Sequence, residues 1–240
     1  MRFAIISDIH GNIEAFNRVL DDIASQNVQG CYFLGDAISY GPEPELCLQK
    51  LRDNRIFCVL GNHELAIVHP KFRSFFNPPT RDHFDQARHL LSKDCIKYIF
   101  TWPKIRQEHD MLMVHGCPPG SVTRYLYDVN EQSLFRILTC MKPSMAFVGH
   151  THELEMVQLT SSGISRNNIS RGVYSIEGGK VIINAGSAGQ PRDGDKSAKY
   201  VIWDKEKRVI EVRYVEYDIE KTVKGIQDRG FPEFYAHRLR

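Results

Sequence analysis

Phe3-Ala4-Ile5-Ile6 is an unbroken apolar run that ends abruptly on Ser7-Asp8, the pattern of a short buried strand. Ile13, Phe16, Leu20 and Ile23 then recur at helical spacing and predict an amphipathic helix lying over that strand. Cys31-Tyr32-Phe33-Leu34 reads as a second strand, ended by Gly35. Glu45 to Asn54, with Leu48 and Leu51, reads as a second helix, and Ile56 to Leu60 as a third strand closed by Gly61-Asn62. This alternation implies right-handed βαβ units and a mostly parallel sheet. From His69 to Pro103 the pattern changes. Phe72, Phe75, Phe76 and Pro78-Pro79 form an aromatic, proline-punctuated loop, followed by helical stretches around Phe84-Ala87-Leu91 and Cys95-Ile99. Together they predict a helical insertion at about residues 70–103. It is either a lid or a segment whose aromatics pack it onto the sheet.

Met111 to Val114 and Met145 to Val148 return to strand, with a helix from Leu134 to Met141 between them. Thereafter Leu154–Leu159, Gly172–Ile176, Lys180–Ile183, Tyr200–Trp203 and Val209–Tyr217 are strands with turn residues between them and no room for covering helices. The last alternates, with Ile210, Val212 and Tyr214 on one face and Glu211 and Arg213 on the other. Asp218 to Arg229 predicts a final helix, stopped by Gly230 and Pro232. A parallel half followed by meandering strands predicts an α/β fold of two stacked sheets with helices outside. The expectation is one domain over residues 1–240, with a helical tail at 218–240.

Composition narrows the function classes. The chain has 240 residues, 42% of them hydrophobic, so disorder is excluded. Lys plus Arg is 31 against Asp plus Glu 29. That balance argues against a long nucleic-acid partner or a polybasic membrane contact, because phosphate-backbone affinity needs concentrated positive charge. The six cysteines are scattered without a C-x-x-C pair, and a chain this rich in core residues needs no disulfide framework. The four apolar residues at the amino terminus are too few for a signal segment, and no apolar run approaches membrane-spanning length. The expectation is a cytoplasmic protein with free thiols. Its oligomeric state is not legible from the chain.

The chemistry gathers where strands end. The first runs into Asp8-Ile9-His10-Gly11-Asn12, the second into Gly35-Asp36 and the third into Gly61-Asn62-His63-Glu64. Later ones run into His115-Gly116 and Gly149-His150-Thr151-His152. In open α/β sheets such ends converge on one crevice, so two Asp, one Asn and five His would meet in a small volume. In an extended segment, residues i and i+2 point the same way, so Asp8-x-His10 and His150-x-His152 would each offer two ligands to one side. Gathered imidazoles and carboxylates without a cation would be costly to bury. This mix of nitrogen and oxygen donors suits manganese, iron or zinc better than calcium or magnesium. The donors exceed what one ion needs, and two ions about 3.5–4 Å apart, bridged by a carboxylate, account for them.

These five elements, in this order, resemble the signature of calcineurin-like metallophosphoesterases over roughly residues 3–203. The resemblance implies a four-layer αββα sandwich with a dinuclear metal centre. It assigns Asp8, His10 and His152 to one metal and Asn62, His115 and His150 to the second, with Asp36 bridging. His63 would be a catalytic residue beside the scissile phosphate. Such a pair of cations lowers the pKa of a shared water and neutralises phosphate charge, and a nearby His suits proton transfer. The expected activity is metal-dependent hydrolysis of a small phosphodiester or nucleotide-type substrate, dinucleoside polyphosphates included. The alternatives are a phosphomonoesterase or protein phosphatase, a nuclease, or a non-catalytic scaffold of the same fold.

Departures indicate the branch. Protein Ser/Thr phosphatases carry an Arg shortly after Gly-Asp, which would clamp phosphate. Here Ala37-Ile38-Ser39-Tyr40-Gly41-Pro42 follows instead, similar to the compact bacterial and archaeal phosphodiesterase-type enzymes. His115-Gly116-Cys117-Pro118-Pro119-Gly120 is similar to a turn of that branch, with Cys117 read as an inert neighbour of the site. Asn184 to Arg192 also resembles a loop there. Its small residues would let backbone N–H groups approach a phosphate, and Arg192 could grip another; a tight sheet-edge turn explains the loop equally well. Arg124, Tyr125 and Tyr127 would line a nucleotide pocket by stacking or cation–π contact, or else sit on the surface.

Overall fold

The computed structural model describes residues 1–240, except for the side chains of Pro79, Asp82 and His83. Pro79 of the aromatic loop and His83 therefore lie, as side chains, outside the described residues.

The apolar run at the start forms β1 (Arg2–Ile6), and the periodic stripe after it α1 (Ile13–Ala24). Next come β2 (Gly30–Phe33), α2 (Pro44–Asp53), the two-residue β3 (Phe57–Cys58) and α3 (Asn62–Val68). The insertion holds a 3₁₀ turn at Pro70–Phe75, then α4 (Pro78–His89) and α5 (Lys93–Phe100). Then follow β4 (Ile105–Glu108), β5 (Met111–Val114), α6 (Glu131–Cys140) and β6 (Met145–Val148). The meander is β7 (Leu154–Thr160), β8 (Gly163–Asn168), β9 (Gly172–Ser175), β10 (Val181–Ala185), β11 (Ala198–Asp204) and β12 (Val209–Val215). The chain closes with α7 (Ile219–Asp228) and α8 (Glu233–His237).

The strands form two mixed six-stranded sheets, ordered β3-β2-β1-β11-β12-β9 and β4-β5-β6-β10-β7-β8. Period-2 alternation places each strand's residues in two cores. Phe3, Ile5, Val201, Trp203 and Ile210 face Met111, Met113, Phe147, Val181 and Ile183 between the sheets. The intervening residues Ala4, Ile6, Tyr200 and Ile202 pack outward under Phe16 and Val19 of α1 and Leu48 and Leu51 of α2. On the far side Val114, Ala146, Val148 and Ile182 pack under Leu134 and Leu138 of α6. Burial on both faces is why these strands read as apolar runs. The expected four-layer αββα sandwich is the fold the chain adopts.

The sequence reading missed β4 and β8. Both are edge strands, and their half-exposed, polar residues (Ile105-Arg-Gln-Glu108 and Gly163 to Asn168) carry no buried pattern. The third strand is shorter than expected, because the chain turns into α3 at Asn62. Among the described residues all six cysteines are free, and no helix is long and apolar enough to cross a membrane.

One ion pair fastens the outer layer to its sheet. Arg213 on β12 donates to Asp22 on α1 from Nη2 (2.7 Å) and Nε (3.1 Å), and Tyr200 on β11 donates its hydroxyl to the same carboxylate (2.7 Å). Burial opposes ionisation of Asp22, but these donors outweigh it and lower its pKa. Its stabilising contribution is therefore complete above about pH 4, the unfolded carboxyl value, and is lost as pH falls through the lower folded value. Asp22→Asn is expected to reduce stability by about 1 kcal/mol at pH 7, the low end for hydrogen bonds to a charged group because the pair is half-exposed. Denaturant titrations of both proteins should converge in acid; a gap unchanged at pH 2 contradicts the assignment.

Candidate metal centre

The loops leaving the carboxyl ends of β1, β2, β5 and β6, together with the start of α3 after β3, meet at one edge of the sandwich. Asp8, His10, Asp36, His63, His115, His150 and His152 are all buried there, with Asn62 half-buried beside them. The backbone is laced together beneath them. Asp8 N–H donates to the Gly35 carbonyl (3.0 Å), His10 N–H to that of Asp36 (2.9 Å), and His150 N–H to the Asp8 carboxylate (3.0 Å). Gly149 allows the sheets to approach this closely, since a Cβ there would stand 1.9 Å from Ser7 Oγ.

The paired spacings work differently from the extended-segment expectation. Asp8 and His10 have φ of +53° and +47°, and His150 and His152 of +70° and +64°, so all four are left-handed rather than extended. Each pair shares a side because two left-handed residues flank an ordinary one, not because of strand pleating. Asp36 (φ +64°) has the same conformation. Such residues cost on the order of 1–3 kcal/mol each and persist where surrounding hydrogen bonds over-determine them.

Four imidazoles are oriented by backbone carbonyls. A carbonyl only accepts, so the facing ring nitrogen must carry the proton. His10 donates Nδ1–H to Ile38 (3.0 Å), His115 Nδ1–H to Leu34 (2.9 Å), His152 Nδ1–H to Gln190 (2.6 Å) and His150 Nε2–H to Thr123 (3.2 Å). The opposite nitrogens all point inward. His10 Nε2 lies 3.1 Å from His152 Nε2, which lies 3.2 Å from Asp8 Oδ1, a buried oxygen without a donor among the described residues. Around His115 Nε2 stand Asn62 Oδ1 (2.9 Å), His150 Nδ1 (3.2 Å) and Asp36 Oδ2 (3.2 Å). Asp36 Oδ2 also lies 3.8 Å from His10 Nε2. These are two knots of acceptor atoms joined by one carboxylate, with far fewer protons than lone pairs, and a cation in each knot would resolve the repulsion. The donor set thus fits two metal ions. Three triads, Asp8/His10/His152, His10/Asp36/His63 and Asp36/His115/His150, each bring three donor atoms within 4.8 Å of one another.

The electrostatics agree. Burial pushes the imidazoles of His150 to about 3 and His152 to about 4, keeping them neutral as a ligand must be. Burial resists ionisation of Asp8 and Asp36, yet the surrounding histidines outweigh it and hold both carboxyls far below the ordinary range. His115 differs: burial again resists charge, but Asp36 prevails and raises the imidazole to about 9, so in the absence of a cation this ring carries a proton that a metal ion would have to displace.

His63 is tied differently. Its backbone N–H donates to Asp36 Oδ1 (2.9 Å), its Nε2 stands 3.9 Å from Asp36 Oδ2, and its buried Nδ1 has no hydrogen-bond partner among the described residues. Aromatic rings hold it instead: Tyr40 at 4.9 Å and Phe76 at 4.7 Å. Burial pushes its pKa well below the ordinary value.

Other residues were legible only in three dimensions. Glu64 follows His63 in the expected motif, but its part emerges from contacts. Its buried carboxylate accepts the N–H groups of Asp36 (2.8 Å), Ala37 (2.8 Å), Ile38 (3.3 Å) and Gly61 (3.1 Å), binding the β2 loop to the start of α3. Its place three residues after the helix cap was the available signal. Tyr125 lines the cleft, yet both faces of its ring are covered, by His150 (3.9 Å, 7°) and by Tyr127 (4.8 Å, 9°). It braces His150, and no face is left for stacking a ligand. Arg124 is exposed and does not border the cleft, whereas Arg192 does.

The loop from Asn184 to Arg192 also departs from the phosphate-cradle expectation. Ala188 N–H donates to the Ser7 carbonyl, Gly189 N–H to that of Asp8, Gln190 N–H to Ser187 Oγ and Arg192 N–H to the His152 carbonyl. The donors are engaged in holding the Asp8 loop, and a Cβ on Gly189 would fall 1.7 Å from the Ile9 carbonyl oxygen. The small residues serve close backbone packing. Cys117 is buried, and burial pushes its thiol up to about 11, as expected of an unreactive neighbour.

The cleft above these groups encloses about 420 Å³. Asp36, Asn62, His63, His150 and His152 line it together with Phe72, Phe75 and Phe76 of the insertion.

Comparison with known proteins gives this arrangement a context. The family described as the calcineurin-like phosphoesterase superfamily domain matches residues 1–208. An uncharacterized protein of Methanocaldococcus jannaschii is 31% identical over 98% of this chain and 96% of its own length. The crystal structure of a metallophosphoesterase from Sphaerobacter thermophilus is similar at a TM-score of 0.87 with 31% identity, covering 100% of this chain and 98% of that one. A hypothetical protein from Pyrococcus horikoshii OT3 shares the fold at a TM-score of 0.82 with 17% identity, covering 99% of this chain and 97% of that one. With the family matched over most of its length, the chain belongs to the calcineurin-like phosphoesterases, metal-dependent hydrolases of phosphoester bonds.

Proposed function

We propose that this chain hydrolyses a small phosphodiester or nucleotide-type phosphoester, dinucleoside polyphosphates included, at a centre of two manganese, iron or zinc ions. Asp8, His10 and His152 hold one ion; Asn62, His115 and His150 hold the other; Asp36 bridges them. The observation that carries this reading is the pair of acceptor knots joined by the Asp36 carboxylate, 3.2 Å from His115 and 3.8 Å from His10. Bound there, the two cations would activate a water as nucleophile and offset charge on the phosphoryl oxygens.

The chain's own groups do the rest. The carbonyls of Ile38, Leu34, Gln190 and Thr123 fix which nitrogen each imidazole presents. His63 borders the cleft beside Asp36; the phosphate charge that arrives with substrate offsets the burial that keeps its ring neutral, and it transfers a proton to the leaving oxygen or donates to the phosphoryl group. Arg192, on the same cleft, attracts a further anionic group of the substrate. Tyr125 positions His150 without touching substrate by its ring face.

Three outcomes follow. Protein dialysed against EDTA should lose hydrolysis of bis(p-nitrophenyl) phosphate and regain it with manganese, with two ions per chain by elemental analysis; Asp36→Asn should reduce that count. Full activity after exhaustive chelation overturns the proposal. His63→Ala should lower kcat by about 10²–10⁴-fold while still binding two ions, and loss of metal along with activity would make it a ligand instead. Glu64→Gln replaces one carboxylate oxygen, the acceptor for two of the four backbone N–H groups, by an amide donor. It should weaken metal affinity by about 10–100-fold in calorimetric titrations, with the circular dichroism of the folded chain retained.

A further inference from the structure

The cleft has two unlike kinds of lining. One is carboxylate, amide and imidazole groups, and Arg192 is the only cationic side chain among the described residues that line the cleft. Three phenyl rings from one turn of the insertion line the same cleft. Phe76 leans on His63 (4.7 Å) and Phe84 (5.6 Å), and with Phe72 it is half-buried against the core beneath α1 and α2. Phe75 is different. It stacks on Phe72 (5.7 Å, 25°) but is 71% exposed, with no other ring against it among the described residues.

An exposed phenylalanine is ordinary by itself. Here it lines, with Phe72 and Phe76, the same cavity as the proposed metal ligands, so a molecule anchored on those ligands meets the rings with its remaining atoms. The two tyrosines that also line the cleft cannot take that part: His150 and Tyr127 cover both faces of Tyr125, and Tyr40 is buried against His10, His63 and Tyr235. Asn77, on the same cleft, accepts the Thr80 N–H at Oδ1 (3.0 Å), leaving its amide donors for an acceptor on a ring edge.

We propose that Phe72, Phe75 and Phe76 form a subsite for a planar aromatic group, a nucleobase or other aryl ring, carried by the phosphoester. This deepens the phosphoester reading above and rests on it. Ring stacking adds a modest, geometry-dependent gain beyond apolar burial, so the subsite distinguishes a flat ring from a saturated one of similar size.

The test uses phosphonates, whose C–P bond resists hydrolysis, titrated calorimetrically into the manganese-loaded protein. Phenyl- and cyclohexyl-terminated phosphonates are compared at three tether lengths: none, two and four methylenes. The expected result is a preference of about three- to tenfold for the phenyl member at one or more lengths. Phe75→Ala should abolish that preference while leaving methylphosphonate affinity unchanged, and Phe100→Ala, an exposed ring away from the cleft, should preserve it. Because Phe75 is largely exposed, its truncation spares the core. Equal binding of phenyl and cyclohexyl members at every length, or a preference that survives Phe75→Ala, overturns the subsite. Hydrolysis of bis(p-nitrophenyl) phosphate by the same samples separates the two readings. Turnover without aryl preference defeats the subsite alone, aryl preference without turnover defeats the hydrolytic reading alone, and absence of both turnover and phosphonate binding defeats both.

Discussion

Two carboxylates and five imidazoles are held out of water within a few ångströms of one another, their lone pairs facing inward. That concentration of acceptors is the constraint from which the rest of the structure follows. Unpaired polar groups in a dry site are expensive, and five of the residues that carry them also sit in left-handed backbone conformations. A small domain tolerates such a site only if the scaffold resists relaxation. Here the resistance comes from three apolar layers, one between the sheets and one under the helices on each side, which leave the strand ends no freedom to spread.

Rigidity is transmitted to the centre by backbone groups more than by side chains. The β1 loop is gripped on one side by the β2 loop and on the other by the turn after β10, whose small residues allow main chains to touch. Glu64 gathers four N–H groups from two loops into one carboxylate. Burial raises this carboxyl to about 7 and Asp36 adds to the rise, while the backbone donors pull toward the charged form. Carbonyls then select the tautomer of four of the five histidines, all but His63. The centre is thus preorganised through hydrogen bonds the chain makes to itself, which is what lets it present fixed donors.

The insertion contributes an asymmetry. Its helices cover the first sheet's outer core through Phe84, Leu91, Cys95 and Ile99, while the preceding turn leaves Phe75 at the cleft mouth. Of the three rings there, Phe72 and Phe76 are half-buried against that core, while Phe75 stays exposed at the cleft. The C-terminal helices brace the opposite flank: Tyr235 meets Tyr40 (4.8 Å), whose ring in turn meets His10 (4.5 Å) and His63 (4.9 Å).

The buried strands, the αββα layering and the convergence of Asp8, His10, Asp36, Asn62, His63, His115, His150 and His152 were legible in the chain, because burial on both faces makes a strand uniformly apolar and a polar residue at its end is conspicuous. Edge strands β4 and β8 were not, since nothing buries them into a pattern. The means by which Asp8-x-His10 and His150-x-His152 share a side also escaped the linear reading. Sequence spacing reports which residues alternate, while the sign of φ depends on hydrogen bonds to loops far away in the chain. The same holds for the Asn184–Arg192 loop, whose N–H groups turn to the Asp8 loop, and for Tyr125, whose faces are claimed by His150 and Tyr127. Which residues gather at the strand ends is local information, carried by hydrophobic runs and what terminates them. How their atoms are oriented, braced and left open to a ligand is set by contacts between segments far apart in the chain, such as Asn12 with Gly189 and Tyr40 with Tyr235, and those exist only once the chain has packed.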